Sequence, residues 1–176
     1  MRKKSIKSIR IRAAPRRLLV PVDFSGSSLH ALRYAVDLAA ESGGSLTIVH
    51  VVPADYGWLD IGRAEYRDLD KSLQKQAADE LCALADANIP RKIAADLQVR
   101  TGRPAEEIVA AASEAKSELI VLSTRGLTGL DRYLIGSVAE RVARLAPCPV
   151  LLMRPVKQLP PRLQVRPAVL RLKRKR

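Results

Sequence analysis

The sequence predicts an α/β fold: one domain whose five strands form a parallel, doubly wound sheet with helices on both faces. Three observations carry that prediction. Strand-like and helix-like segments alternate through residues 16–154. Several apolar runs are continuous rather than alternating, as in strands buried on both faces. The intervening segments carry apolar residues at helical spacing. A parallel sheet with right-handed crossovers is the arrangement such alternation calls for. The chain of 176 residues is long enough for one well-packed domain with flanking tails.

The first strand reads as Arg17 to Val22, ending at Asp23, with Pro21 tolerated near a strand end because it lacks a donor. Ser25 to Ser28 is a cluster of turn and cap residues. Leu29, Leu32, Ala35, Val36 and Ala39 then mark a helix running to Glu41, stopped by Ser42-Gly43-Gly44. Ser45 to Val52 is rich in β-branched residues and reads as the second strand. A loop from Pro53 to Gly62 holds Tyr56 and Trp58, read as loop packing or as a lid. A long helix spans Ala64 to Ala87, with Leu69, Leu73, Ala77, Leu81 and Leu84 on one face, closed by Asn88 and Pro90.

Ile93 to Thr101 alternates and reads as the third strand. Pro104 opens a helix carrying Ile108, Val109, Ala112 and Ala115. Glu118 to Leu122 is a buried parallel strand. Gly136-Ser137 opens the last helix, with Val138, Val142 and Leu145 as its apolar positions. Ala146-Pro-Cys-Pro149 breaks it, and Val150 to Met153 is the fifth strand.

The net charge of +13 suggests a nucleic-acid partner until it is placed along the chain. Residues 1–17 and 155–176 each carry eight Lys or Arg and no acid, which leaves the middle mildly acidic. The charge belongs to two arms, 1–15 and 155–176, expected to be disordered and solvated. They hold no Phe, Tyr or Trp and so no stacking platform; non-specific attraction to polyanions is what they offer. The Arg-rich stretch from Arg10 to Arg17 is compatible with a transit peptide, but an unstructured arm needs fewer assumptions. No apolar run is long enough for a transmembrane segment. Cys82 and Cys148 show neither metal spacing nor a disulfide framework, so two buried reduced thiols and a cytoplasmic location are expected.

In doubly wound sheets ligands sit beyond the carboxyl ends of the strands, where strand order reverses. Two strand ends are chemically unusual: Val22-Asp23, and Leu122 running into Ser123-Thr-Arg-Gly126. After Gly126 and nine intervening residues comes Gly136-Ser137, at a helix start. Phosphate needs backbone donors that can approach it, and glycine and a helix N-terminus both supply them. Gly126 lets the loop fold back over the same point, and the Ser137 hydroxyl adds a donor, or else serves as a plain helix cap. No Gly-Lys-Ser/Thr phosphate loop and no Gly-x-Gly-x-x-Gly dinucleotide signature is present.

The block Leu122 to Glu140, followed by Ala146-Pro-Cys-Pro-Val-Leu-Leu152, closely resembles the universal stress protein family. Nucleotide-binding members of that family show Gly, two residues, Gly, nine residues, then Gly-Ser or Gly-Thr. The nine-residue spacing is intact here, while Ser123 replaces the first glycine. Val20-Pro-Val-Asp23 is similar to the family's first-strand end and His50-Val-Val52 to its adenine-lining second-strand end. The resemblance covers roughly residues 16–154. It implies an adenine nucleotide alpha hydrolase-like sheet of order 3-2-1-4-5 and a stress-response role exerted through bound ATP. Mg²⁺ would arrive on the phosphates. The implied nucleotide-binding residues are Pro21, Val22, Asp23, Val51, Leu122, Ser123, Arg125, Gly126, Gly136, Ser137 and Val138. The resemblance also implies a homodimer through Val150–Met153, where an apolar edge strand invites a partner, and a downstream protein partner.

Several residues read in two ways. Asp23 serves an Asx-turn or cap, or contacts the nucleotide, or both. Arg125 pairs with phosphate or is solvated. His50 reads as a satisfied, partly buried histidine and His30 as a surface residue. The competing functions are an interaction module without nucleotide, motivated by Ser123, and an alpha hydrolase-type enzyme, which would need substrate-recognition insertions that a chain this short lacks. With no catalytic base and no metal site legible, any hydrolysis of ATP should be slow.

Overall fold

The computed structural model describes residues 14–53, 63–124 and 135–154, with 63–68 described as backbone. Among the described residues nine elements follow in strict alternation: β1 (Arg17–Pro21), α1 (Gly26–Ser42), β2 (Ser45–Pro53), α2 (Arg63–Asn88), β3 (Ala95–Gly102), α3 (Pro104–Glu114), β4 (Leu119–Ser123), α4 (Ser137–Leu145) and β5 (Val150–Met153). The sheet order is β3-β2-β1-β4-β5 with every neighbouring pair parallel, as expected. The arms at 1–13 and 155–176, and the loop carrying Tyr56 and Trp58, lie outside the described residues.

Alternation along each central strand sends side chains to two separate cores. Leu18, Val20 and Val22 join Ile48 and Val121 under α1 and α2, against Ala31, Leu32, Ala35 and Leu81. Leu19 joins Val49, Ile120 and Leu122 under α3 and α4, against Ile108, Ala112, Ala139 and Val142. Leu18, Leu19 and Val20 are at most 1 % exposed, so β1 is the shared spine of both layers.

Ser25 caps α1 by accepting from Ser28 N–H at 3.1 Å, so the helix begins at Gly26, ahead of the expected Leu29. Gly43, at φ 63°, ends it in the left-handed region, where a glycine carries no Cβ penalty. Ile93 is buried but lies ahead of β3, in the turn that follows Pro90. Three expected burials fail. Leu145 is 52 % exposed, because α4 spans Ser137–Leu145 and it is Ala139 and Val142 that face the sheet. Cys82 is exposed on α2, where Ala77 and Leu81 hold the buried stripe. Cys148 is half-buried, and partial burial pushes its thiol pKa up against the opposing effect of a backbone hydrogen bond at Ile120. His30, expected at the surface, is half-buried.

The chain progresses from β1 outward through β2 to β3, then returns to the other side of β1 for β4 and β5. β1 keeps five paired positions with β2 but two with β4, Leu18 with Leu119 and Leu19 with Ile120. Beyond Leu19 the two strands part. The opening lies at the reversal of strand order, where a doubly wound sheet binds ligands.

Candidate functional site

A cleft of about 370 Å³ occupies that opening, within the ordinary range for small-molecule sites. Its first wall is the end of β1 and its continuation, Pro21, Val22 and Asp23, with Ser28 of α1 behind them. Its second is the end of β4 and the start of α4: Leu122, Ser123, Gly136, Ser137 and Val138. Val51 on β2, with Pro104 and Ile108 of α3, closes the apolar end. Every residue in the sequence-based site set that is described therefore lines one cleft; Arg125 and Gly126 lie outside the described residues. Among the described lining residues Asp23 bears the single carboxylate.

Side-chain hydrogen bonds build the β1 wall. Asp23 Oδ1 accepts from Ser25 N–H at 3.1 Å and from Ser25 Oγ–H at 2.6 Å, so the Asx-turn forms and the capping role falls to Ser25. Asp23 N–H donates to Ser28 Oγ at 3.3 Å, and Ser28 Oγ–H donates to Ser25 O at 3.0 Å. Phe24 sits at φ 60°, a conformation that costs a non-glycine residue on the order of 1 kcal/mol. Its ring stacks on His50 with centroids 4.4 Å apart. His50 Nδ1–H donates to Val22 O at 2.8 Å, which makes it the satisfied, partly buried histidine expected.

Hydrogen-bond parity along β2 decides what Val51 offers. Odd positions face β1: Ser45 N–H donates to Arg16 O at 2.6 Å, and Val49 O accepts from Val22 N–H at 2.9 Å. Leu46, an even position, faces β3 and donates to Ala94 O at 2.9 Å. Val51 shares the odd parity, but β1 has ended at Pro21. Its N–H and C=O are directed past the strand end into the cleft, and neither has a backbone partner among the described residues. The result is a peptide edge with one donor and one acceptor side by side.

Backbone proximity builds the second wall. Gly136 N–H donates to Thr124 O at 3.0 Å, and a Cβ on Gly136 would stand 3.3 Å from that oxygen. The close approach brings the first turn of α4 against the end of β4. Gly136 is the N-cap and makes no side-chain cap bond. Ser137 is the first helical residue and is exposed, which corrects its reading as a plain cap. The first α4 bond recorded runs from Glu140 N–H to Gly136 O at 2.9 Å, so the N–H groups of Ser137, Val138 and Ala139 precede the intrahelical ladder and lie along the cleft. Ser123 is 8 % exposed and lies on the wall itself.

Sequence reading missed Phe24, Ser28, Pro104 and Ile108. Ser28 sits in the recognised cap cluster, five residues from Asp23, and that spacing was the available signal. Pro104 and Ile108 reach the site only because β2 lies beside β1, which no local pattern encodes.

The model of the universal stress protein family matches residues 15–154, the whole span of the sheet. The chain belongs to the universal stress protein family. A universal stress protein of Thermus aquaticus is 39 % identical over 137 residues, covering 74 % of this chain and 94 % of that one. One from Methanocaldococcus jannaschii is 32 % identical over 154 residues, covering 81 % and 84 %. Among solved structures, the universal stress protein UspA of Lactobacillus plantarum superposes with a TM-score of 0.64 at 26 % identity, covering 79 % of this chain and 97 % of its own. A universal stress protein in complex with cAMP gives 0.52 at 27 % identity, covering 80 % and 97 %. No described helix of this universal stress protein domain is long and apolar enough to cross a membrane.

Proposed function

We propose that the cleft binds an adenine nucleotide, ATP foremost, and that the protein acts in the stress response through its nucleotide-bound state. One observation carries the reading: the Val51 peptide edge and the first-turn N–H groups of α4, which have no backbone partner among the described residues, line the same cleft. The edge suits adenine, which presents a ring acceptor beside an exocyclic amine. The helix terminus suits phosphate, through its orphan donors and its dipole. Asp23, on the wall between them, would accept from ribose hydroxyls. The structural relative bound to cAMP supports an adenosine phosphate as the ligand class. Gly126 and Arg125 would complete the phosphate side. Mg²⁺ would be carried by the phosphates; among the described residues there is no group of three His, Cys, Asp or Glu side chains that could hold a metal ion.

Calorimetry of the full chain with ATP, with and without Mg²⁺, tests the reading. Saturable binding is expected, and its absence at millimolar ATP would overturn it.

The second reading, an interaction module without nucleotide, is favoured by Ser123, whose side chain adds bulk to the wall where family binders carry glycine. Co-purified ATP in a native mass spectrum would dismiss it. Two further proposals accompany the first. Residues 16–154 act as the functional domain between two basic arms. The domain pairs with a second copy along β5, which among the described residues has β4 on one side only and carries half-buried apolar side chains from Val150 to Met153.

A further inference from the structure

We infer that His50 and Phe24 are positioning residues for the base: together they withhold the Val22 carbonyl from Val51 and so keep the Val51 peptide open to the cleft. The inference rests on the nucleotide reading for its ligand, but its structural half stands on hydrogen-bond geometry alone.

In a parallel ladder each residue donates to the strand on one side and accepts from the same strand one step later. β1 and β2 follow that rule as far as Val22 N–H to Val49 O, 2.9 Å. The next bond in the series would be Val51 N–H to Val22 O. It is missing from the described backbone bonds, although Val22 is still held against β2 through its own N–H. Its place is taken by a side chain: His50 Nδ1–H donates to Val22 O at 2.8 Å. Phe24, two residues on, turns the chain at φ 60° and lays its ring on the imidazole, with the centroids 4.4 Å apart. The stack holds the imidazole in the orientation that reaches Val22 O, and the left-handed turn carries the chain off the line of β2. The ladder is therefore stopped one bond early, at the position that lines the cleft. Leaving a peptide edge open costs desolvated polar groups when no ligand is present, so a dedicated device to keep it open fits a site that must read a hydrogen-bonding ring edge.

A residue that merely packs would affect stability and every ligand alike. A positioning residue should affect the base and spare the phosphates. The experiment uses the full chain as wild type, His50→Leu and His50→Asn. Asn places an amide nitrogen as many bonds from Cα as Nδ1 and can still donate to Val22 O. Amide hydrogen exchange by NMR, without nucleotide, reads the Val51 N–H directly. In wild type Val51 should exchange faster than Val49; equal or greater protection at Val51 overturns the inference with no variant needed. In His50→Leu the Val51 amide should slow by about tenfold or more, and in His50→Asn it should stay near wild type. Unchanged Val51 exchange in a folded His50→Leu overturns the inference. Calorimetry with ATP and with inorganic tripolyphosphate adds the functional arm. His50→Leu should weaken ATP about tenfold and leave tripolyphosphate unchanged, whereas equal losses for both would reduce His50 to a structural role. Wild type that binds no ATP would retire the nucleotide reading, and the exchange data would still decide whether His50 holds the Val51 peptide open.

Discussion

The two walls of the cleft are made by different means. The β1 wall, from Val22 to Ser28, is a lattice of side chains bonded to backbone: Asp23 to Ser25, Ser28 to Asp23, His50 to Val22. The α4 wall, Ser123 and Thr124 together with Gly136 to Val138, relies on close backbone approach, Gly136 against Thr124, and on first-turn helix N–H groups that have no backbone partner among the described residues. A side-chain lattice fails when one specific polar group is lost. A backbone cradle fails when a Cβ is gained. The two walls should therefore respond to opposite kinds of substitution.

The largest effect should come from what both walls share. Leu19, fully buried on β1, belongs to the α3/α4 core together with Ile108, Leu122 and Ala139, which line the cleft. Leu19→Ala is expected to cost about 2–5 kcal/mol in urea unfolding and to weaken both walls together. A loss well under that range would show the sheet centre to be softer than its burial implies.

Gly136→Val should act on the α4 wall alone. The added branched side chain meets Thr124 O, and relief of that contact shifts the first turn of α4. ATP affinity should fall about tenfold, equivalent to about 1.4 kcal/mol, with tripolyphosphate falling in parallel. Unchanged tripolyphosphate binding would remove the phosphate role from this wall.

Asp23→Ala should act on the β1 wall alone. Two hydrogen bonds to Ser25 disappear, at a stability cost of about 1 kcal/mol. ATP should weaken while tripolyphosphate stays constant. A parallel loss of both would show that the two walls act as one unit.

The smallest effect lies away from the cleft. Arg100 on β3 pairs with Glu114 and, at 3.6 Å, with Glu107, both on α3. The hydrogen bond from Arg100 draws the Glu114 carboxyl below its ordinary value, outweighing the opposing effect of desolvation, and the Coulomb attraction of Arg100 acts in the same direction. The guanidinium pKa rises, chiefly through the same hydrogen bond. A carboxylate with a depressed folded pKa contributes stability that is present above its unfolded pKa and lost as pH falls through the folded value. Glu114→Gln should therefore differ from wild type at neutral pH, and the two should converge in acid, below the ordinary carboxylate value of about 4. Glu114 is mostly exposed, so the gap should also close with added salt. A thermal melt series in pH and salt reads both. A gap that persists in acid would mean that Glu114 acts through packing.

The element order and the two chemically unusual strand ends were legible in the residues themselves, while the strand order that places the switch point came with the family resemblance. The first two are written in local pattern. β-branched runs mark strands because branched side chains suit a pleated surface, and Gly-Ser ahead of an apolar helical stripe marks a helix start. The spacing from Gly126 to Gly136 was legible for the same reason, since a cradle needs small residues at fixed places along one segment. Which local signals meet depends on how the elements pack. Leu145 looked like a core residue until α4 was placed with Ala139 and Val142 toward the sheet. Pro104 and Ile108 became cleft residues because β2 lies beside β1. The Val51 edge exists because β1 ends at Pro21 and a histidine takes the carbonyl that would have extended it. That last fact concerns hydrogen-bond parity between two strands, and parity is a property of the pair, which no single segment of sequence contains.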